Sequence, residues 1–168
     1  DRTDAPDGAR NRSGPGTIDG HPPTTAPEQP RPRPYLETIM SSLQEQVQAN
    51  LYRVNERIST AAQAVSRDQR EIALIAVSKT FGAEAVLAAA RAGQRRFGEN
   101  YVQEALDKIG ELQRLAAAGE PAATGIEWHF IGPIQSNKTR AIAEHFDWVH
   151  SVERLKIAER LSEQRPAA

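Results

Sequence analysis

One of the four lysines in this 168-residue chain stands where an amine could react. Lys79 lies in Val77-Ser78-Lys79-Thr80, directly behind the apolar run Ile72-Ala73-Leu74-Ile75-Ala76-Val77. An apolar neighbour such as Val77 disfavours the ammonium form, and the neutral amine is the form that condenses with an aldehyde. A strand-end lysine that only hydrogen-bonds a loop carbonyl is the alternative, and position alone leaves both open. Lys108, Lys138 and Lys156 fall in helical patterns, where a solvated ammonium is the expected role.

Two further residues occupy matching positions. Asn100, in Phe97-Gly98-Glu99-Asn100-Tyr101, follows a short second strand and can cap the next helix or present an amide to a site. His129, in Trp128-His129-Phe130-Ile131-Gly132-Pro133, alternates onto the face opposite Trp128 and Phe130. It reads either as a residue of a strand-lined interior or as a hydrogen-bonded core histidine. Gln135-Ser136-Asn137-Lys138 opens a helix whose free N–H groups could hold an anion, or is a capped helix start and no more. His145 and His150 have no partner at metal-ligand spacing, so no metal is assigned.

The elements that must position these residues follow from changes of hydrophobic period. Leu43, Val47, Leu51, Val54, Ile58, Ala62 and Val65 form one stripe on a long helix. The run 72–77 reads as a strand buried on both faces, as in a parallel sheet. A helix over 84–91 follows, with Gly93 at its C-cap. Strand 96–98, helix 101–118, strand 128–131, a helix capped by Ser136 or Asn137 and ending near Glu144, strand 148–150 and helix 153–163 complete the series. Gly110 weakens the helix over 101–118 by about 1 kcal/mol relative to alanine. Four βα units in a row suggest a doubly wound sheet or half of an eight-stranded barrel. No G-x-G-x-x-G and no phosphate-binding G-x-x-x-x-G-K-[ST] is present, which lowers the weight of nucleotide-type doubly wound folds. Ligands of either architecture bind at the C-terminal ends of the strands, where Lys79 and Asn100 lie.

Composition narrows the classes. There is no cysteine, hence no disulfide framework, thiolate metal site or cysteine nucleophile. With 21 basic against 22 acidic residues, the net charge of -1 gives no electrostatic case for nucleic acid or an anionic membrane. No apolar run reaches the roughly 20 residues of a spanning helix. Together these features suggest a soluble cytoplasmic protein. Eight of the 11 prolines precede Tyr35, and the same stretch is too poor in apolar side chains to offset the entropy of ordering it. Residues 1–39 are therefore expected to be a disordered Pro-rich extension, with polyproline II at Arg31-Pro32-Arg33-Pro34. Met40 is expected to be the natural start of a folded domain over 40–168.

The motifs Leu74-Ile75-Ala76-Val77-Ser78-Lys79-Thr80, Phe97-Gly98-Glu99-Asn100-Tyr101-Val102-Gln103-Glu104, Trp128-His129-Phe130-Ile131-Gly132-Pro133-Ile134-Gln135-Ser136-Asn137-Lys138 and His145-Phe146-Asp147-Trp148, in that order, closely resemble the pyridoxal phosphate homeostasis protein family. These proteins are related to the N-terminal barrel of alanine racemase. The resemblance implies an α/β fold, here the first half of a (β/α)8 TIM-type barrel, truncated before its second half. It implies pyridoxal 5′-phosphate (PLP) as cofactor, Lys79 as its aldimine lysine, and Asn100 and His129 around it. It also implies a monomeric intracellular carrier or buffer of PLP, without established turnover, that passes the cofactor to PLP-dependent apoenzymes.

Two departures from the family stand out. Phe81-Gly82 replaces the Lys-Pro that commonly follows Ser-Lys-Thr, which removes a second positive charge. The family continues for about four more βα units, which carry the phosphate cradle and the arginine facing the pyridine nitrogen. Two other readings remain: a racemase-type PLP enzyme, and a fragment without cofactor that associates through its open sheet edges.

Overall fold

The computed structural model describes residues 33–167. Most of the expected tail, residues 1–32, lies outside the described residues. Helix α1 spans Arg33–Ala64 and runs straight through Met40, so the expected boundary between 39 and 40 falls inside a helix. Arg33-Pro34 is thus helical rather than polyproline II. Proline is tolerated in a first helical turn, where its φ suits the helix and its missing N–H has no partner to lose.

Four βα units follow. Strand β1 (Ala76–Val77) leads to helix α2 (Ala83–Arg91), β2 (Arg96–Glu99) to α3 (Val102–Ala117), β3 (Glu127–Phe130) to α4 (Thr139–His145), and β4 (Trp148–Val149) to α5 (Leu155–Gln164). The strands are all parallel in the order β1-β2-β3-β4. Sequential parallel strands, each followed by a helix, form a four-unit arc of the barrel architecture expected from the sequence. Helix α3 continues through Gly110, because Ala105, Ile109 and Leu112 are buried on one side and outweigh one glycine. Among the described residues no helix is long and apolar enough to cross a membrane.

Register sorts the side chains onto two faces. Phe97, Trp128 and Phe130 point to the outer face and pack beneath the helices with Val86, Ile109, Ile142 and Phe146. Phe130 and Phe146 meet edge to face at 5.2 Å. The opposite, inner face carries the row Val77, Gly98, His129 and Trp148, which are neighbours across the register. Val77 and Trp148 at the two ends of this face are 49% and 57% exposed. This corrects the reading of 72–77 as a long strand buried on both faces. Only Ala76 and Val77 are strand, because β1 is an edge with one face beneath helices and the other open.

Lys108 is a second correction. It is 7% exposed, not solvated, and its Nζ donates to Glu99 Oε1 at 2.7 Å and to the Ser78 carbonyl at 2.8 Å. Ser78 Oγ donates to the same carboxylate oxygen at 2.6 Å, and Glu99 is fully buried. One buried ion pair therefore ties α3 to the ends of β1 and β2. Lys108→Met should cost about 3–5 kcal/mol in urea unfolding, since it strands a buried carboxylate. The double variant with Glu99→Gln should recover part of that loss. Equal losses in the single and double variants would show that Glu99 does not depend on its cation.

Candidate functional site

The C-terminal ends of the strands hold Lys79, Asn100 and His150, with His129 one row below on the inner face. Lys79 occupies a tight turn. The residue before it has every polar group engaged: Ser78 N–H donates to the Gly98 carbonyl, Ser78 Oγ donates to Glu99, and the Ser78 carbonyl accepts from Lys108 and Phe81. The residue after it, Thr80, has φ of 68°, a left-handed conformation that costs a side-chain-bearing residue energy. Lys79 itself is exposed, and among the described residues its amine makes no hydrogen bond or ion pair. Val77 beside it is half exposed, so the apolar enclosure expected from the sequence is not formed by this face. A fixed turn therefore presents an accessible amine.

Asn100 does not cap α3. The capping position is Tyr101, and it makes no side-chain cap. Asn100 Oδ1 is instead buried without a hydrogen-bond partner. Gly132 explains part of this burial: a Cβ there would stand 2.8 Å from Asn100 Cα, so only glycine lets the chain after β3 close over Asn100. Ser151, after β4, hydrogen-bonds the Gly132 carbonyl and ties a third strand end to the same cluster.

His129 does alternate onto the inner face and is buried there. Its ring stacks on Trp148 at 6.1 Å and 6°. Its Nε2 lies 2.8 Å from Glu127 Oε1 and its Nδ1 lies 2.9 Å from His150 Nε2. Glu127 Oε1 also accepts from Arg96 Nε at 2.9 Å. Burial pushes the Glu127 carboxyl upward, but the Arg96 guanidinium and His129 outweigh it and hold the group below the usual carboxylate range. The sequence motifs assign no site role to Glu127, His150 or Arg96, although their alternation with His129, Trp148 and Gly98 places them on the same face.

The expected helix start at Ser136 or Asn137 is also corrected. Residues Ser136–Lys138 form a 3-10 turn, α4 begins only at Thr139, and neither side chain caps it. His145 lies apart from the cluster and contacts the Ala141 carbonyl.

Comparison with known proteins gives a consistent set of relatives. No protein-family model matches the chain. The pyridoxal phosphate homeostasis protein of Escherichia coli K12 is 57% identical over 118 residues, covering 70% of this chain and 48% of the relative. Its counterpart in Pseudomonas aeruginosa PAO1 is 61% identical over 118 residues, covering 70% of this chain and 47% of that protein. Among solved structures, PipY of Synechococcus elongatus PCC7942, determined with PLP bound, is 44% identical with a TM-score of 0.51, covering 64% of this chain and 47% of PipY. A Bifidobacterium adolescentis protein of unknown function matches at 32% identity and a TM-score of 0.64, covering 73% of this chain and 51% of that one. The chain thus spans about half the length of the curated relatives it matches, and over the matched residues it is similar to the pyridoxal phosphate homeostasis proteins.

Proposed function

We propose that this chain carries the aldehyde-binding part of a PLP carrier, with Lys79 as the residue that holds the cofactor and Asn100 and His129 beside it. The observation that carries this reading is the accessible Lys79 amine on a turn whose preceding residue is fixed at every polar group. The residues fit one end of the cofactor: a free primary amine lies at the strand ends, and the buried Asn100 Oδ1 lacks a partner. When bound, PLP supplies an aldehyde that a primary amine engages reversibly.

The chain's own residues have separable parts in this reading. Lys108 and Glu99 hold the backbone from which Lys79 projects. Asn100 offers an acceptor for a donor on the ligand, and an acceptor buried without one is disfavoured by about 1–3 kcal/mol. Trp148 and His129 form a flat apolar and aromatic wall on the open face. Reversible capture without turnover suits a buffer that delivers PLP to apoenzymes. The balanced charge and missing cysteine are consistent with a cytoplasmic setting.

Incubation with PLP, borohydride reduction and peptide mapping by mass spectrometry tests the assignment. A pyridoxyl adduct is expected at Lys79 and not at buried Lys108, with weak retention for a chain that spans half of its relatives. Equal labelling of Lys79, Lys138 and Lys156 would overturn it. Asn100→Ala breaks no side-chain hydrogen bond of Oδ1 and removes a buried acceptor without a partner, so its urea stability should not fall below that of the parent. Its PLP should dissociate faster in a dialysis or absorbance assay. Unchanged retention would remove Asn100 from the site.

A further inference from the structure

A line of direct contacts runs across the strand ends and stops at Asn100. Val77 and Gly98 are register partners, so Lys79 and Asn100, each two residues further on, leave neighbouring strands side by side. The backbone ladder from β2 to β3 closes with Ile131 N–H donating to the Glu99 carbonyl at 2.9 Å. The ladder from β3 to β4 closes with His150 N–H donating to the Phe130 carbonyl at 3.0 Å. Beyond these rungs the Gly132 carbonyl receives no backbone N–H among the described residues, and it accepts instead from the Ser151 hydroxyl. Gly132 is buried, and a Cβ on it would stand 2.8 Å from Asn100 Cα and 2.9 Å from the Asn100 carbonyl carbon. Its backbone therefore packs directly on the backbone that carries the unpartnered Asn100 Oδ1.

We propose that Ser151 is a positioning residue for the PLP site: it holds Gly132 against Asn100 and so fixes the direction of Asn100 Oδ1 beside Lys79. The inference rests on the function proposed above, in which Asn100 serves the ligand. Ser151 acts through Gly132 and takes no part in the chemistry at the amine.

An acceptor aids a ligand most when its direction is settled beforehand. A hydrogen bond weakens steeply as it bends, and a side chain already ordered loses less entropy on binding. No local bond orders Asn100, because its oxygen has no protein partner and it does not cap α3. The amide is held through its backbone, and Gly132 presses on that backbone. A hydroxyl that merely satisfied a buried carbonyl would leave Asn100 indifferent to its loss. The close approach of Gly132 is what makes the Ser151 bond felt at the amide.

The test uses the full chain, with PLP as probe. PLP dissociation is followed by absorbance after dilution for the parent, Ser151→Thr, Ser151→Val, Asn100→Ala and the double variant Asn100→Ala/Ser151→Val. Threonine and valine have nearly the same shape, and only threonine keeps the hydroxyl. Ser151→Thr should stay within about twofold of the parent, and Ser151→Val should release PLP about tenfold faster, the worth of one ordinary hydrogen bond. The double variant should release PLP no faster than Asn100→Ala alone, because a residue that acts through Asn100 then has nothing left to act on. Multiplied effects in the double variant, or a Ser151→Val rate equal to the parent's, would overturn the proposal. Equal rates for Ser151→Thr and Ser151→Val would overturn it as well, since the hydroxyl would be idle.

Proton–nitrogen NMR of the chain without PLP reads the same link independently of the carrier reading. The Asn100 side-chain amide signal should move in Ser151→Val and keep its place in Ser151→Thr. An Asn100 signal indifferent to Ser151→Val would sink the positioning role even if the parent captures PLP. A parent that captures no PLP, with the Asn100 signal behaving as expected, would remove the carrier reading and leave the coupling of Ser151 to Asn100 standing.

Discussion

The ion pair between Glu99 and Lys108 is the constraint on which the arrangement depends. Two opposite charges leave water only when each meets close and complementary partners, and here one carboxylate oxygen receives both an ammonium and a hydroxyl. The three contributing residues come from the end of β1, the end of β2 and the middle of α3. Loss of either charged side chain would leave the other buried without its counter-ion. Because Ser78 immediately precedes Lys79, this one junction both clamps the helix layer to the sheet and fixes the backbone that presents the Lys79 amine. Glu99 Oε2 remains without a partner, so even this cluster is not fully satisfied.

A division of labour between the two faces of the sheet follows. The outer face is packed with aromatic and aliphatic side chains under helices and supplies cohesion. The inner face carries glycine, histidines, a carboxylate–guanidinium pair and an exposed tryptophan. Glycine at 98 lets Ile75 and Ile131 approach from either side, since a Cβ would lie 2.9 Å from Ile131 Cδ1. Polar groups on a packed face must all be paired, whereas an open face can retain groups for a ligand. Lys79, Asn100 and His129 accordingly lie on the open face or at its rim.

Much of this was legible in the sequence, and the misses share a cause. The period change after residue 71 gave the βα series, and alternation within Trp128-His129-Phe130 put His129 on the correct face. Lys108 was misread because lysine in a helix is usually solvated. Its spacing from Ala105 and Leu112 nevertheless sets it on the buried stripe of α3, and Glu99 alternates with Phe97 onto the helix-covered face. Both signals are present in the sequence, and they point against the usual behaviour of the residue type. Local chemistry offers Asn100 two roles, a helix cap or an amide presented to a site. Its actual state depends on Gly132, 32 residues away, which no local pattern reveals. The length of β1 was overestimated because an apolar run does not show whether its strand lies at an edge.

The stacking of Trp148 on His129 has an optical consequence. The chain contains two tryptophans in opposite surroundings: Trp128 beneath the helices and Trp148 against an imidazole on the open face. Their emission therefore separates into a blue component from the enclosed indole and a red component from the wetted one. A charged imidazole against an indole withdraws electron density from its excited state, so the red component dims when the His129 ring gains a proton. Light from a single residue thus reads the protonation of its neighbour, with no label added to the protein.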